Sequence, residues 1–186
     1  MSRQSFKSTL ISSYADGPAL SNIAGPQSIL NPDCKWTFPA QYLRLGRVIR
    51  ITGMVALSNI VTTPGTITLD VRLNGTVVWS SGAMNFSATA HTLLPCDLSI
   101  TLATYADGSS SNFLGQGFAW SRALAVGAGA DNTNSIVLYP MPTTSPAVGS
   151  NFDGTLAQQL DMQVTFSNQQ TGNAITLKQF VLTSMN

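Results

Sequence analysis

Residues 66–80 read TITLDVRLNGTVVWS, and this stretch decides the fold. Ile67, Leu69, Val71 and Leu73 alternate with Thr66, Thr68, Asp70 and Arg72. A period of two puts the apolar set on one face of a strand and the polar set on the other. Asn74 and Gly75 follow at once, then TVVWS. Asn-Gly between two such runs is the strongest short hairpin signal, because a type I′ turn needs positive φ at both central residues. The segment predicts two antiparallel strands with one wet face and one buried face.

The same alternation spreads outward from the hairpin. Residues 47–57 carry Ile49, Ile51, Val55 and Leu57 on one side. Leu98, Ile100 and Leu102 repeat it, as do Leu160, Met162, Val164 and Phe166. Near the end, Ile175 and Leu177 give way to Phe180 and Leu182, so the inward parity switches across Gln179 and predicts a β-bulge. Residues 35–38, 83–87, 113–122 and 135–139 are weaker strand candidates. Glutamate is absent and lysine rare, which removes the strong helix formers, while Thr and Val suit a pleated surface. Turn chemistry recurs at Pro64-Gly65, Asp107-Gly108, Asp153-Gly154 and Gly172-Asn173. Residues 34–186 are therefore expected to form an all-β, antiparallel sandwich of jelly-roll type, with about eight or nine short strands. Residues 1–33 differ. Gly17-Pro18, Gly25-Pro26 and Asn31-Pro32 punctuate them, so they are expected to form an extended N-terminal arm that frays or lies on a neighbour.

Charge is scarce. Asp, Lys and Arg make up 9% of the chain, against about 25% charged residues in an average soluble protein. The surface must be built from neutral polar residues, or be covered by other proteins. The net charge of +1 supplies no field for nucleic acid. No apolar run approaches the roughly 20 residues that a membrane helix needs. The opening MSRQSFKSTL lacks the apolar core of a signal peptide. In a cytosolic setting Cys34 and Cys96 are expected to be free, buried thiols, one disulfide being the alternative.

Little here is arranged for chemistry. All eight acids are aspartates, and Asp16, Asp107 and Asp153 each precede glycine, where a short side chain caps a turn. His91 is the sole histidine and belongs to no nucleophile motif. Gly115-Gln116-Gly117 lacks the later Gly and Lys of a phosphate loop; glycines inside a strand mark a bulge or a close backbone approach. No calcium-loop spacing occurs, and loops bearing Asp131 or Asp153 offer at most a weak cation site. No enzyme activity and no cofactor are expected. Arg44, Arg47 and Arg50 cluster, either as anchors for a partner's acids or as solvated strand ends. With Phe6 and Tyr14 of the arm they are the candidate partner contacts. Trp36, Trp79 and Trp120 read as core or interface bodies, and a carbohydrate-binding module would need two or three aromatics on one exposed face.

Residues 45–55 (LGRVIRITGMV), 63–73 (TPGTITLDVRL), 74–84 (NGTVVWSSGAM) and 175–182 (ITLKQFVL) resemble small virion proteins of tailed bacteriophages. The resemblance implies a capsid cement or decoration protein of jelly-roll type that trimerises and holds the major capsid protein shell together. It implies assembly in a bacterial host's cytoplasm and residence in the virion, with no nucleic acid or membrane as partner. A tail, baseplate or fibre-tip protein of the same kind of particle is the alternative.

Overall fold

The structure, a computed structural model, describes residues 7–128, 130, 135–145 and 147–185. In chain order its strands are β1 (Ser8–Ser13), β2 (Leu20–Ser21), β3 (Gln27–Ser28), β4 (Thr37–Phe38), β5 (Val48–Asn59), β6 (Thr66–Leu73) and β7 (Thr76–Ser80). They continue as β8 (Met84–Phe86), β9 (His91–Ala106), β10 (Asn112–Ser121), β11 (Leu124–Ala125), β12 (Val137–Met141), β13 (Gln158–Phe166) and β14 (Ala174–Ser184). Single 3-10 turns at Pro32–Cys34 and Gly108–Ser110 are the helical elements among the described residues. None of these is long and apolar enough to cross a membrane.

Two sheets result. The first runs β1-β14-β5-β9-β10-β12, with β2 also on β14; the second runs β11-β8-β6-β13-β3, with β7 on β6 and β4 on β13. Their pairings are antiparallel. The long strands change sheet along the chain, from β5 to β6, back at β9, over at β13 and back at β14. The expected all-β antiparallel sandwich is what forms. Its core holds Phe38, Phe86, Phe113, Phe180, Ile49 and Ile51, all under 2% exposed. Burying one such side chain contributes about 1.5–3 kcal/mol.

The hairpin forms as the sequence requires. Asn74 has φ 46° and Gly75 φ 86°, both left-handed. The parity switch in β14 is a register shift against β5 between Leu177 and Gln179. Lys178 takes the extra place, so Ile175, Leu177, Phe180 and Leu182 all point into the core.

β9 extends well beyond its alternating residues 98–102. His91 opens it, and Pro95 sits inside it. Trp120 with Asp97 is the last β9–β10 pair, so β9 has only β5 beside it at Pro95, opposite Ala56. A proline without its N–H is tolerated where a ladder is one-sided.

The stretch expected as an arm is extended from Lys7 onward and lies on its own chain. β1 follows β14, the Gly17 N–H donates to the Leu177 carbonyl at 2.8 Å, and β2 continues along β14. The chain then crosses to pair β3 with β13. Ile29 and Leu30 enter the common core, at 0% and 2% exposed. Lys178 Nζ and Asp16 form an ion pair at 2.5 Å, and Asn31 Nδ2 donates to the Asp16 carbonyl at 2.7 Å.

Candidate interaction surfaces

The two sheets turn different outer faces to solvent. On the second sheet β6 presents Thr66, Thr68, Asp70 and Arg72, and β13 presents Gln159, Asp161, Gln163 and Thr165. In register, Asp70 lies opposite Gln163 and Arg72 opposite Asp161. Arg72 Nη2 pairs with Asp70 Oδ2 at 3.4 Å, and Lys35 Nζ with Asp161 Oδ2 at 3.1 Å. Ser28 Oγ also donates to Asp161 Oδ1 at 2.5 Å, and Gln163 Nε2 to Oδ2 at 3.0 Å. Burial pushes the Asp161 carboxyl up. The hydrogen bonds from Ser28, Gln163 and Lys35, and the Lys35 charge, outweigh this and hold it below its ordinary value. The face is polar, and these four charges cancel in pairs.

The outer face of the first sheet is mostly polar across β9, β5 and β14. Ser99, Thr52, Val181 and Ser12 form one outward row across β9, β5, β14 and β1. At the β10–β12 corner the face turns apolar. Trp120 pairs with Leu138 and Phe118 with Pro140 across the strands, and Leu114 is bridged to Val148. Phe118 is 42% exposed, Trp120 46% and Leu138 63%.

β10 is built inside out. Its inward side carries Phe113 and then the small Gly115, Gly117, Ala119 and Ser121, while Leu114, Gln116, Phe118 and Trp120 face water. Trp79 of β7 explains the first of the glycines, since a Cβ on Gly115 would lie 2.2 Å from its Cδ1. A Cβ on Gly117 would lie 2.2 Å from the Ser99 carbonyl oxygen. The two glycines thus mark close approaches, as glycines within strands do. Beside Trp120 opens a cavity of about 190 Å³, lined by Pro95, Asp97, Arg122 and Ile136 among others.

The sequence-predicted contacts do not converge on either face. β5 begins at Val48, so Arg44 and Arg47 sit on the preceding turn and only Arg50 on a strand. Arg44 Nε donates to the Gln41 carbonyl at 3.0 Å. Its side chain lines a cavity of about 390 Å³ with Leu43, Asp107 and Thr155. Arg47 lies 4.8 Å from the centre of the Tyr42 ring, and Arg50 Nε donates to Thr101 Oγ1 at 3.4 Å. None of the three joins an ion pair among the described residues. Tyr14 is 72% exposed just past β1. Phe6 and Asp131 lie outside the described residues.

The remaining polar candidates hold structure. Asp153 Oδ1 accepts the Thr155 N–H at 3.0 Å, closing its turn, and Asp107 Oδ2 accepts the Leu45 N–H at 3.3 Å. Cys34 and Cys96 are free and buried, as expected. Burial, and then the Asp97 charge, push the Cys96 thiol up to about 12. No group of three potential metal ligands forms among the described residues.

No family model matches this chain, and no curated protein matches it. Three solved structures are similar in part. One is the CBM2 module of the evolved Dit of Lactobacillus casei BL23 phage J-1, with TM-score 0.33, 11% identity, and coverage of 82% of this chain and 69% of that one. Another is a fructofuranosidase from Schwanniomyces occidentalis complexed with fructose, with TM-score 0.30 and 11% identity, covering 96% of this chain and 34% of that one. A third is a carbohydrate esterase from Shiga toxin-encoding bacteriophage phi24B, with TM-score 0.25 and 8% identity, covering 95% and 90%. At these TM-scores the likeness carries no role over to this chain.

Proposed function

We propose that this chain is a structural protein of a bacteriophage particle, a cement or decoration protein of jelly-roll type that binds the outer surface of the major capsid protein shell as a trimer. The supporting observation is the outer face of the second sheet. It is a strand surface whose charges, Asp70 with Arg72 and Asp161 with Lys35, are already paired within the chain. Such a face docks without stranding a desolvated charge. Repetition over a shell turns many weak contacts into firm attachment. Tyr14, just past β1, and the three arginines, on the turn before β5 and on β5 itself, lie off this face, and the proposed docking does not use them. The reading assigns the chain no catalytic step and no cofactor.

The test is incubation of the purified chain with empty shells, together with sedimentation of the free protein. A trimer that pellets with shells at about one copy per capsid subunit is the expected result. A monomer with no affinity for shells overturns the reading. Recovery only with purified tails, in a small symmetric number, places the chain in the tail or baseplate instead.

A further inference from the structure

We propose that the β10–β12 corner of the first sheet is a saccharide-binding platform. Neutral sugar rings stack on Phe118 and Trp120, with their hydroxyls donating to Asp97. This goes beyond the structural role and rests on a different sheet.

The inverted build of β10 comes first. A strand over a core ordinarily turns its large apolar residues inward. Here the inward positions after Phe113 are Gly115, Gly117, Ala119 and Ser121, with Trp79 packed against Gly115, and the rings of Phe118 and Trp120 are left outside. Being two residues apart, they stand about 6.6 Å apart along one face. Leu138 and Pro140, paired with them across β12, continue the same floor. Trp79, at 4% exposed, takes no part.

Polar groups border this floor on one side. Asp97 is in register with Trp120 and exposed, and Ser99 is in register with Phe118. A sugar ring is amphipathic in the same sense. Its C–H face suits an aromatic plane and its rim of hydroxyls needs acceptors. The cavity of about 190 Å³ against Trp120 and Asp97 falls below the roughly 300 Å³ at which pockets for drug-sized ligands begin. It suits one ring, with the rest of the chain running over Phe118.

A protein partner fits less well. It would have to desolvate the Asp97 carboxylate, to which a saccharide brings donors.

The full chain should first be screened on immobilised neutral and sialylated glycans, then titrated in solution with cellohexaose and maltohexaose. Saturable binding of a neutral glycan is expected. Trp120→Ala and Phe118→Ala should each weaken it tenfold or more, with Trp120→Phe recovering part and Asp97→Asn losing less. All four should stay folded with a cooperative melt, the two alanine variants at a somewhat lower temperature than the parent. Absence of neutral-glycan binding, preference for sialylated glycans, or unchanged binding by Trp120→Ala overturns the proposal. So does a parent oligomer that Trp120→Ala dissociates in the absence of glycan binding, since the corner would then be a contact with a second copy. Because the isolated chain is used, failure here leaves the shell-binding reading to its own test.

Discussion

Gly75 holds φ at 86° in a turn that a β-branched residue resists. Gly75→Val is expected to cost about 1 kcal/mol or more, lowering the melting temperature by about 2–4 °C for each kcal/mol in a chain of this size. An unchanged melt would mean that the turn tolerates the strain. Asp161 gives a prediction with a sign. Its carboxyl titrates below its ordinary value in the folded chain. Its contribution is therefore fully present above the unfolded carboxylate value of about 3.9 and is lost as pH falls through the folded value. Asp161→Asn should be less stable than the parent in denaturant at neutral pH, and the gap should close in acid below that value. A gap that stays constant with pH would show that the hydrogen bonds from Ser28, Gln163 and Lys35 do not favour the charged carboxylate.

At the level of elements, the long alternating strands were legible because one face of each is buried and the pattern follows the pleat. β5, the β6–β7 hairpin, β13 and the bulge of β14 all come from that rule. β1, β2 and β3 were not legible. They are short, their residues are half-buried at most, and prolines interrupt them, so the arm reads as coil until β14 and β13 supply its partners. The inner end of the arm is the part with core residues. Truncation of residues 1–13, which removes β1, is expected to leave a folded protein with a modestly lower melt. Truncation through Leu30 also removes Ile29 and Leu30 from the core and should leave a chain that fails to show a cooperative transition. A cooperative melt in the longer truncation would make residues 1–30 a dispensable appendage. β10 was half legible. Its glycines signalled a close approach, but Leu114, Phe118 and Trp120 at one parity with Gly, Ala and Ser at the other also spell a reversed strand. That signal needed the position of Trp79, across the sandwich, to be read.

For the molecule as a whole, the scarcity of charge divides unequally between the faces. The second sheet carries paired charges on a polar surface, and the first carries an aromatic corner. Shell attachment through pre-paired charges should respond weakly to ionic strength, because no free charge on that face awaits screening. Binding measured from about 0.1 M to about 1 M salt should change little. A steep loss would shift the contact to Arg44, Arg47 and Arg50, which have no carboxylate partner within the described chain. The sequence could not rank these surfaces, since facing directions and register appear only when strands from distant parts of the chain are laid side by side.

The two buried thiols have a practical consequence for any particle that carries this protein. Cys34 is 3% exposed and Cys96 1%, and the Cys96 thiol, at about 12, stays protonated at neutral pH. Alkylating reagents attack the thiolate, so the native fold presents them with almost nothing. A cysteine set at the exposed Tyr14 becomes the single addressable point on each copy. Maleimide labelling of Tyr14→Cys should stop at one dye per chain, and a fluorophore or cargo could then be displayed once per subunit with both native cysteines in place.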